Sequence, residues 1–467
     1  MQVSAVGSSS PYPAYGAAPR AAAPVANALP TKSGNTDVDA VLTGSTKWWH
    51  DDTNVVGTAG VTGMSNARHE LTFSFMSLAN SLSSIDTHGF QAMSTNVKEA
   101  VRTALAYTAT VANVSFTEVE LGGDIQFGTN NQSGKSGGYA YTPNSRDVDT
   151  ASVYMANDAY PQGSTDWSPG TQAWSALVHE IGHALGLKHP GAYNAGGGKT
   201  PGPYLPKSED NTRYSLMSYN SPKDSAVAAT TDLGGGRYSV ALRNVQASGF
   251  EMIDIEALQY LYGRSEGEAE AGVQNYTFSD EDANKGEFFK TISNSNNGSE
   301  IDASGVSRRS KIDLRAGHYS SIGIRDPYAS LAAPFNTAAK WKKVVGSRIK
   351  PTYTGENNLG IAKGSHIDRA RTGSSADTII GNNNATNVIN SGAGNDTIFL
   401  GKANSTVECG EGTDTVCLTK LKTKWTVTLN AETGTYTCRN GSITNVITGA
   451  ESIKGWNGST VKISKLT

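Results

Sequence analysis

Residues 179–189 read His-Glu-Ile-Gly-His-Ala-Leu-Gly-Leu-Lys-His, and this motif is the strongest indication of local structure in the chain. His179 and His183 are four positions apart, so on a helix both imidazoles project from one face. Gly186 allows the helix to stop and the chain to reverse without strain at a Cβ atom, and the turn returns His189 towards the other two. The spacing therefore predicts a site in which three imidazole nitrogens bind one metal ion.

The helix that carries this motif is predicted over residues 172–187. Glu180 lies to the side of the histidine pair, where its carboxylate can hold a metal-bound water rather than the metal. This arrangement predicts a zinc site with Glu180 as general base. A helix with His and Glu on its solvent face is the alternative, but an apolar opposite face favours burial against a cleft. That face consists of Leu177, Val178, Ile181 and Leu185.

A second motif follows downstream, where residues 214–219 read Tyr-Ser-Leu-Met-Ser-Tyr. Together the two motifs complete the pattern H-E-x-x-H-x-x-G-x-x-H followed by a Met-turn, which is typical of metzincins. A methionine beneath three imidazoles supplies an adaptable apolar floor, and we predict this role for Met217.

Four stretches of the chain resemble the serralysin family of bacterial secreted metalloproteases, namely residues 111–119, 179–196, 215–219 and 254–263. The resemblance implies an α+β metzincin catalytic domain with a mixed five-stranded sheet and long helices. It also implies that Tyr219 is an additional, displaceable zinc ligand that stabilises the transition-state oxyanion. Glu180 and Tyr219 are thus the expected catalytic residues.

The resemblance extends to the expected substrate. Gly138, Tyr139, Ala140 and Tyr141 resemble the edge strand along which an extended peptide lies in this family. Backbone pairing at such an edge binds extended polypeptides with little demand on their sequence. We also expect a monomer, with a proteinaceous inhibitor as a further partner.

Periodicity predicts the regular elements around the motifs. Strands are expected over 70–76, 114–119, 124–127, 138–142 and 151–155, and helices from Ser94 or Thr95 and over 251–261. Gly263 is placed to end the last of these helices. The Gly- and Pro-rich stretch between the helix predicted over residues 172–187 and about residue 248 is predicted to be irregular.

The whole chain has 467 residues, too many for one compact core. Its net charge of −3 argues against a nucleic-acid binder, and no apolar run is long enough to span a membrane. Residues 1–40 are predicted to form a disordered N-terminal segment, with a removable propeptide as the alternative. A Sec-type signal is not recognisable, so we expect secretion without one, by type I export on the strength of the resemblance.

The composition changes after the predicted catalytic domain, residues 41–263. Residues 264–467 are rich in Asn, Ser, Thr and Gly, which predicts an all-β domain, a β-roll or β-sandwich. Three short units recur at about 373–417, and their aspartates are 19 and 18 positions apart, about twice a nonapeptide. These aspartates are Asp377, Asp396 and Asp414.

The units approximate a calcium-binding repeat, because Asp carboxylates and turn carbonyls are oxygen ligands that suit Ca²⁺. The expected turn positions are Gly392, Gly394, Gly410 and Gly412. A calcium-free β-solenoid or sandwich stabilised by packing alone is the alternative. The three cysteines, at 409, 417 and 438, allow at most one intramolecular disulfide.

Taken together, these features predict a secreted zinc-dependent endopeptidase. The alternative is a calcium-dependent binding or adhesion protein with a relict protease domain. Loss of Glu180 or of a histidine ligand would favour it, but all four residues are present. Another zinc hydrolase, such as an amidase, is disfavoured because Met217 and Tyr219 complete a protease pattern.

Overall fold

A computed structural model describes residues 33–43, 68–79, 83–142, 150–194, 198–235, 237–265, 272–281, 287–294, 296–327, 352–421, 424–459 and 461–466. These residues form two compact units. One consists of the described residues of Met1–Ser221 and Gln246–Glu270, and the other of those of Pro222–Val245 and Ala271–Thr467.

The first unit is built on a five-stranded mixed sheet. Its strands are β1 (His69–Phe75), β2 (Val114–Glu118), β3 (Ile125–Asn130), β4 (Gly138–Ala140) and β5 (Ala151–Ala156). Their order is β2-β1-β3-β5-β4, and every neighbouring pair is parallel except β4 with β5. Alternation places Leu71 and Phe73 in the core, as the pattern of this stretch predicts. A mixed sheet of five strands agrees with the resemblance.

Five helices accompany this sheet among the described residues. They are α1 (Thr36–Val41), α2 (Ser84–Thr87), α3 (Thr95–Val111), α4 (Gln172–Ala184) and α5 (Met252–Tyr262). The two longest, α3 and α4, have 17 and 13 residues. Helix α3 buries an apolar stripe that includes Val97, Val101 and Leu105, and Gly263 ends α5 with a φ of +84°. The predicted positions of both helices are thereby confirmed.

The predicted disordered segment 1–40 lies outside the described residues as far as residue 32. Its last part differs from the expectation, because residues 36–40 belong to α1. Val38, Ala40 and Val41 are buried there, and Asn35 caps the helix by accepting a hydrogen bond from the Asp37 N–H at 3.0 Å. Burial of this apolar group explains why an otherwise Ala- and Pro-rich segment is ordered at its end.

The stretch after the Met-turn is not irregular throughout, as the sequence had suggested. Residues Ala226–Gly234 (β6) and Arg237–Asn244 (β7) form an antiparallel hairpin, which belongs to the second unit. Gly234 and Gly235 adopt positive φ at its turn. Glycine is favoured at such positions because it has no Cβ, and this allows the two strands to pair.

The second unit is otherwise made of short strands, which confirms the predicted strand-rich C-terminal region. They are β8 (Asn275–Ser279), β9 (Lys290–Ile292), β10 (Glu300–Gly305), β11 (Lys311–Asp313), β12 (Tyr319–Ser320), β13 (Leu359–Ile361), β14 (Arg369–Arg371), β15 (Thr378–Ile380), β16 (Asn387–Asn390), β17 (Thr397–Phe399), β18 (Ser405–Glu408), β19 (Thr415–Leu418), β20 (Thr426–Asn430), β21 (Thr435–Asn440), β22 (Ile443–Thr448), β23 (Ser452–Gly455) and β24 (Ile463–Leu466).

From β14 to β19, successive strands alternate between two sheets. The larger sheet has the order β24-β20-β21-β22-β18-β16-β14-β10-β8, and the smaller has the order β11-β15-β17-β19-β23. Each strand from β16 to β19 runs parallel to the strand two places before it. The remaining strands β12, β13 and β9 form a third, three-stranded sheet.

The core of this unit follows from that alternation. In the smaller sheet, a row of buried apolar side chains is in register across the strands, consisting of Ile312, Ile379, Ile398, Val416 and Ile453. The larger sheet contributes a second row to the same core, consisting of Ile301, Ala370, Ile389, Val407 and Ile447. The three cysteines are buried and unpaired. No helix among the described residues is long and apolar enough to cross a membrane.

Candidate metal centre and active site

Helix α4 carries the first two histidines of the motif. Thr171 caps it by accepting a hydrogen bond from the Trp174 N–H at 3.2 Å, and every residue from Ala173 to Ala184 is buried. The helix ends three residues before the predicted position. Gly186, with a φ of +102°, then turns the chain back, because this backbone conformation is strained for residues with a Cβ.

The structure brings His179, His183 and His189 together. The Nε2 atom of His189 lies 3.3 Å from that of His179 and 3.1 Å from that of His183. All three histidines are buried. Among the described residues, they are the one group of three or more His, Cys, Asp or Glu side chains placed to hold a metal ion.

The other ring nitrogens fix the tautomers of these histidines. Each Nδ1 faces a backbone carbonyl: Leu216 O at 2.9 Å from His179, Leu187 O at 2.8 Å from His183 and Tyr193 O at 3.3 Å from His189. A carbonyl can only accept, so each Nδ1 carries the proton and each Nε2 presents a lone pair. Three lone pairs therefore converge on one point.

This donor set fits zinc. With Zn–N distances of about 2.0–2.1 Å, tetrahedral geometry places two ligand nitrogens about 3.3–3.4 Å apart. The observed separations of 3.1 and 3.3 Å are close to that value. Three histidine ligands and one open position are the pattern of catalytic rather than structural zinc sites.

Burial also keeps the three imidazoles neutral, as metal ligands must be. Removal from water lowers the pKa of His179 to about 4 and that of His189 to about 2. Burial, together with the two neighbouring histidines, lowers the pKa of His183 well below its usual value. Protons therefore do not compete for the Nε2 lone pairs at neutral pH.

Glu180 is completely buried beside this cluster. Neither of its carboxylate oxygens has a hydrogen-bond partner among the described residues, and burial raises its pKa well above the usual value. A buried carboxylate without partners is costly, so its retention points to a group that it meets only in a complex. Gly138 lies directly against it, because a Cβ at that position would be 2.9 Å from Glu180 Cγ.

The predicted Met-turn lies against α4. Met217 is fully buried, and a Cβ on Gly182 of the helix would come within 2.8 Å of its Sδ atom. Such an approach is open only to glycine, so Gly182 and Met217 form one packing contact near the histidines. Sequence reasoning placed Met217 here but did not anticipate Gly182.

Asp254, on α5, holds the turn in place and was not anticipated as a site residue. Its carboxylate accepts hydrogen bonds from Ser215 Oγ and the Leu216 N–H, both at 2.6 Å, and from the Glu251 N–H at 3.0 Å. Burial raises its pKa to about 6 despite these bonds. The backbone of Leu216 is thus held at its N–H by Asp254, while its carbonyl orients His179.

Tyr219 lies over the imidazoles at the end of the turn. Its ring centroid is 4.2 Å from that of His189 and 6.2 Å from that of His179. The ring of Tyr193 stacks on that of Tyr219, with centroids 5.0 Å apart and planes at 25°. The structure therefore brings the predicted additional ligand to the cluster, together with a tyrosine that sequence reasoning missed.

Lys188, next to the third histidine, is also buried and was not predicted to matter. Its Nζ donates hydrogen bonds to Ala40 O at 2.5 Å and Pro203 O at 3.1 Å. Burial lowers its pKa to about 8. These bonds tie the end of α1 to the loop that carries His189.

The predicted substrate-binding residues form strand β4 and the residue after it. Strand β4 is the last in its sheet, and Tyr141 extends the pairing with β5 by donating its N–H to Ser152 O at 3.0 Å. No described strand pairs with its other side. The open side is therefore available to the backbone of an extended chain.

A buried carboxylate anchors the tyrosines of this edge. Asp86, on α2, accepts hydrogen bonds from Tyr139 Oη at 2.6 Å and from Tyr141 Oη at 3.1 Å. Asn130 donates to Tyr139 Oη at 2.7 Å. The pattern of the sequence around residue 86 offers no signal for this contact, which joins segments 53 positions apart.

The predicted calcium-binding aspartates lie in the second unit and form a ladder. The Asp377 N–H donates to Asp396 Oδ1, and the Asp396 N–H to Asp414 Oδ1, both at 2.8 Å. The ladder ends where the Asp414 N–H donates to Glu451 Oε2 at 2.6 Å, while the Ser310 N–H donates to Asp377 at the other end. Each aspartate thus uses one carboxylate oxygen to bind a neighbouring backbone.

The glycines of the repeats stack turn upon turn. A Cβ on Gly410 would lie 1.7 Å from Gly392 O, and a Cβ on Gly412 would lie 1.7 Å from Gly394 O. All four glycines adopt positive φ. Only glycine allows this close approach of successive turns, so these positions have a structural reason that is independent of calcium.

Comparison with known proteins adds to this geometry. Residues 67–195 match the family model described as Peptidase_M10, Matrixin. Metallopeptidase AprA of Pseudomonas marginalis is 33% identical to the chain over 343 residues, which are 69% of this chain and 62% of that protein. The chain is thus similar to matrixin- and serralysin-type metallopeptidases over its first part.

Two further relatives agree with this family. Metalloprotease AprA of Pseudomonas entomophila is 31% identical over 61% of this chain and 53% of its own length, and Serralysin of Proteus mirabilis is 30% identical over 50% of each. The chain thus spans between 50% and 62% of the length of these three relatives. Serralysins and matrixins are zinc metalloproteases, in agreement with the histidine cluster.

A solved structure, that of myroilysin, aligns with 42% of this chain and 93% of its own, with a TM-score of 0.24 and 16% identity. The metzincin-like character of the first unit rests on the family-model match over residues 67–195 and on its sheet, helices and histidines.

Proposed function

We propose that the protein is a zinc-dependent endopeptidase that hydrolyses peptide bonds in extended polypeptides. The observation that carries this proposal is the convergence of three Nε2 lone pairs beside a buried glutamate without hydrogen-bond partners. His179, His183 and His189 hold the metal. When bound, zinc makes a water molecule acidic near neutral pH and polarises the scissile carbonyl.

Glu180 acts as general base and then as general acid. Its carboxylate accepts a proton from the attacking water and delivers it to the leaving amine nitrogen. Burial, which raises its pKa well above the usual value, strengthens it as a base and keeps the transferred proton available. The lack of other partners leaves its oxygens free to take up the water.

Tyr219 would be an additional, displaceable zinc ligand, and its phenol would supply a donor that stabilises the oxyanion. Its position over His189 and His179 supports this role. A preorganised donor at a developing oxyanion typically contributes a factor of about 10²–10³ to kcat. Met217 would support the site from below through its contact with α4.

The substrate would lie along the open side of β4 as an additional strand, paired with the backbone of Gly138, Tyr139, Ala140 and Tyr141. Main-chain hydrogen bonds recognise any extended polypeptide, which predicts broad specificity. The contact between Gly138 and Glu180 supports this arrangement, because it places the edge strand next to the proposed base.

The remaining features of the protein are proposals of the same kind. We infer that residues 1–40 include a propeptide, that 41–263 and 264–467 are the catalytic and C-terminal domains, and that the latter is a β-roll that binds Ca²⁺ through Asp377, Asp396 and Asp414. Its strand alternation and stacked glycines support this proposal. Secretion by a type I route, a monomeric state and a proteinaceous inhibitor are proposed from the family.

The test is the hydrolysis of an unfolded protein by the wild type, by Glu180→Gln and by chelator-treated wild type. We expect a loss of about 10²–10⁴-fold in kcat for Glu180→Gln, with zinc retained. Chelator treatment should abolish cleavage, and added zinc should restore it. Glu118→Gln, which alters an exposed glutamate on β2 that pairs with Arg102, is the control and should keep wild-type activity.

Cleavage by Glu180→Gln at the wild-type rate would contradict the proposed mechanism. An inactive wild type with zinc bound would favour a binding protein with a relict protease domain.

A further inference from the structure

Tyr193 contacts both the third histidine and Tyr219. Its carbonyl accepts a hydrogen bond from His189 Nδ1 at 3.3 Å, and its ring stacks on that of Tyr219. Its Oη also accepts a hydrogen bond from the Tyr219 N–H at 3.3 Å. One residue therefore touches the ring and the backbone of the proposed oxyanion donor.

The phenol of Tyr193 is itself anchored. It donates a hydrogen bond to Asp210 Oδ1 at 2.5 Å, and Ser218 Oγ donates to the same oxygen at 2.7 Å. Ser218 immediately precedes Tyr219 in the chain. Asp210 thus fixes the Tyr193 ring and the peptide that leads into Tyr219 through a single carboxylate oxygen.

Gly191 makes this arrangement possible. A Cβ at this position would lie 2.0 Å from Tyr193 Cε1 and 2.8 Å from Asp210 Oδ2. Only the absence of a side chain lets the phenol reach the carboxylate while the carbonyl of Tyr193 still faces His189. The contact is therefore built into the loop that follows the third histidine.

We propose that Tyr193, anchored by Asp210, is a positioning residue that holds Tyr219 over the metal site. This inference rests on the proposed function, and specifically on the role of Tyr219 at the oxyanion. Tyr193 does not contact the substrate in this account. It acts by restricting where the Tyr219 phenol lies, and small displacements of a reacting group are costly in rate.

The decisive experiment is a double-mutant cycle between Tyr193→Phe and Tyr219→Phe, with kcat and KM measured on one unfolded protein substrate. Tyr193→Phe keeps the stacked ring and the carbonyl but loses the hydrogen bonds of the phenol. We expect kcat to fall about 10-fold with KM nearly unchanged. In the Tyr219→Phe background the same substitution should have no further effect, because the group that it positions is gone.

A second readout reports the position of Tyr219 without catalysis. With Cu²⁺ in place of zinc, a bound phenolate gives a charge-transfer absorption in the visible range. Tyr193→Phe and Asp210→Ala should weaken this band, while Asp210→Asn, which keeps the accepting oxygen, should restore most of it. Zinc content should stay at the wild-type level in all three variants.

Tyr204→Phe is the matched control. It also removes a phenolic hydrogen bond, from Tyr204 Oη to Thr200 O at 2.7 Å, but at an exposed position. Both kcat and the copper band should be unchanged.

Equal losses from Tyr193→Phe in the wild-type and Tyr219→Phe backgrounds would overturn the inference, because Tyr193 would then act independently of Tyr219. A wild-type copper band in Tyr193→Phe would overturn it as well. If Tyr219→Phe alone keeps the wild-type kcat, the proposed role of Tyr219 fails first, and the inference fails with it.

Discussion

The two metal sites expected from the sequence differ in how far the protein satisfies its own polar groups. In the histidine cluster, three Nε2 lone pairs and both oxygens of Glu180 are left for a metal and a water. In the aspartate ladder, one oxygen of each carboxylate already accepts a backbone N–H. Only the second oxygens of Asp396 and Asp414 are buried without a partner.

This difference predicts different roles for the two ions: zinc is needed for function, whereas calcium adds to the stability of the second unit. The histidine cluster has no internal substitute for a cation, so it is incomplete without one. The ladder, by contrast, is part of the hydrogen bonding of the strands and the stacked turns. We expect calcium to stabilise further a unit whose aspartates already accept backbone hydrogen bonds, whereas we expect function to require zinc.

Loss of one histidine should have the largest effect. Loss of a residue that hydrogen-bonds to a metal ligand typically weakens metal binding about 10–100-fold. We expect His183→Ala to weaken zinc binding by more than this, because it removes a ligand itself. Competition with a chromophoric chelator measures this. His88→Ala is the control, since His88 is exposed and its Nδ1 lies 2.8 Å from the backbone carbonyl oxygen of Asn131. Tight zinc binding by His183→Ala would contradict the proposed ligand set.

Removal of the Met-turn anchor should come next. Asp254→Ala leaves three buried donors without their acceptor and should lower the free energy of unfolding of the first unit by about 3 kcal/mol. Denaturant unfolding measures the loss. Asp166→Ala removes comparable bonds to Ser168 at an exposed position and should cost less than about 1 kcal/mol. If both variants lost the same free energy of unfolding, burial of Asp254 would add nothing to the effect of its hydrogen bonds.

The ladder should respond differently to the loss of a charge. Asp396→Asn keeps an oxygen to accept the Asp377 N–H but removes a buried carboxylate whose pKa is raised to about 6. Without calcium, we expect the second unit to become more stable at pH 7, by on the order of 1 kcal/mol. Stabilisation by added calcium should shrink. Strong destabilisation in calcium-free buffer would break the comparison, because the charge itself would then support the fold.

The pH dependence of this unit follows from the same carboxylates. Burial raises the pKa of both Asp377 and Asp396 to about 6, whereas in the unfolded chain a value near 3.9 is expected. Between these values the folded state binds more protons, so these groups lower the free energy of unfolding as pH rises from about 4 to about 6.

The double variant Asp377→Asn/Asp396→Asn isolates this contribution. Its stability relative to the wild type, in calcium-free buffer, should increase by on the order of 1–2 kcal/mol between pH 4 and pH 6.5. Thermal unfolding at a series of pH values measures the difference. If the stability of the double variant relative to the wild type fell as pH rises, the raised pKa values of Asp377 and Asp396 would be contradicted.

The smallest effect is expected at the floor of the zinc site. Met217→Leu conserves volume and should change kcat and zinc affinity by less than about 3-fold, since packing rather than sulfur chemistry is its proposed role. A loss of more than 10-fold would instead assign a specific function to the Sδ atom, and the floor would no longer be a packing feature only.

Much of the catalytic unit was predictable because its determinants are local. The alternation of Leu71 and Phe73, the stripe on α3 and the spacing of the histidines depend on short-range periodicity. The hairpin β6–β7 was missed because its Gly-rich turn resembles an irregular loop. The end of α4 differed by three residues, since Gly186 turns the chain early.

The unpredicted site residues have a common physical reason. Asp254, Tyr193, Asp210 and Asp86 act through hydrogen bonds to segments that are distant in sequence, or to loops whose course no periodicity describes. The repeats in the second unit were predictable only in part. Their spacing predicts stacked turns and an apolar core, but not that the aspartates would bind backbone N–H groups of their neighbours.

The most direct test is the zinc content of the dialysed full chain, measured by atomic absorption for the wild type, His183→Ala and Glu180→Gln. We predict one zinc ion per chain for the wild type and for Glu180→Gln, and essentially none for His183→Ala. A wild type without zinc, or a Glu180→Gln variant that loses it, would contradict the assignment of three histidine ligands and a separate base.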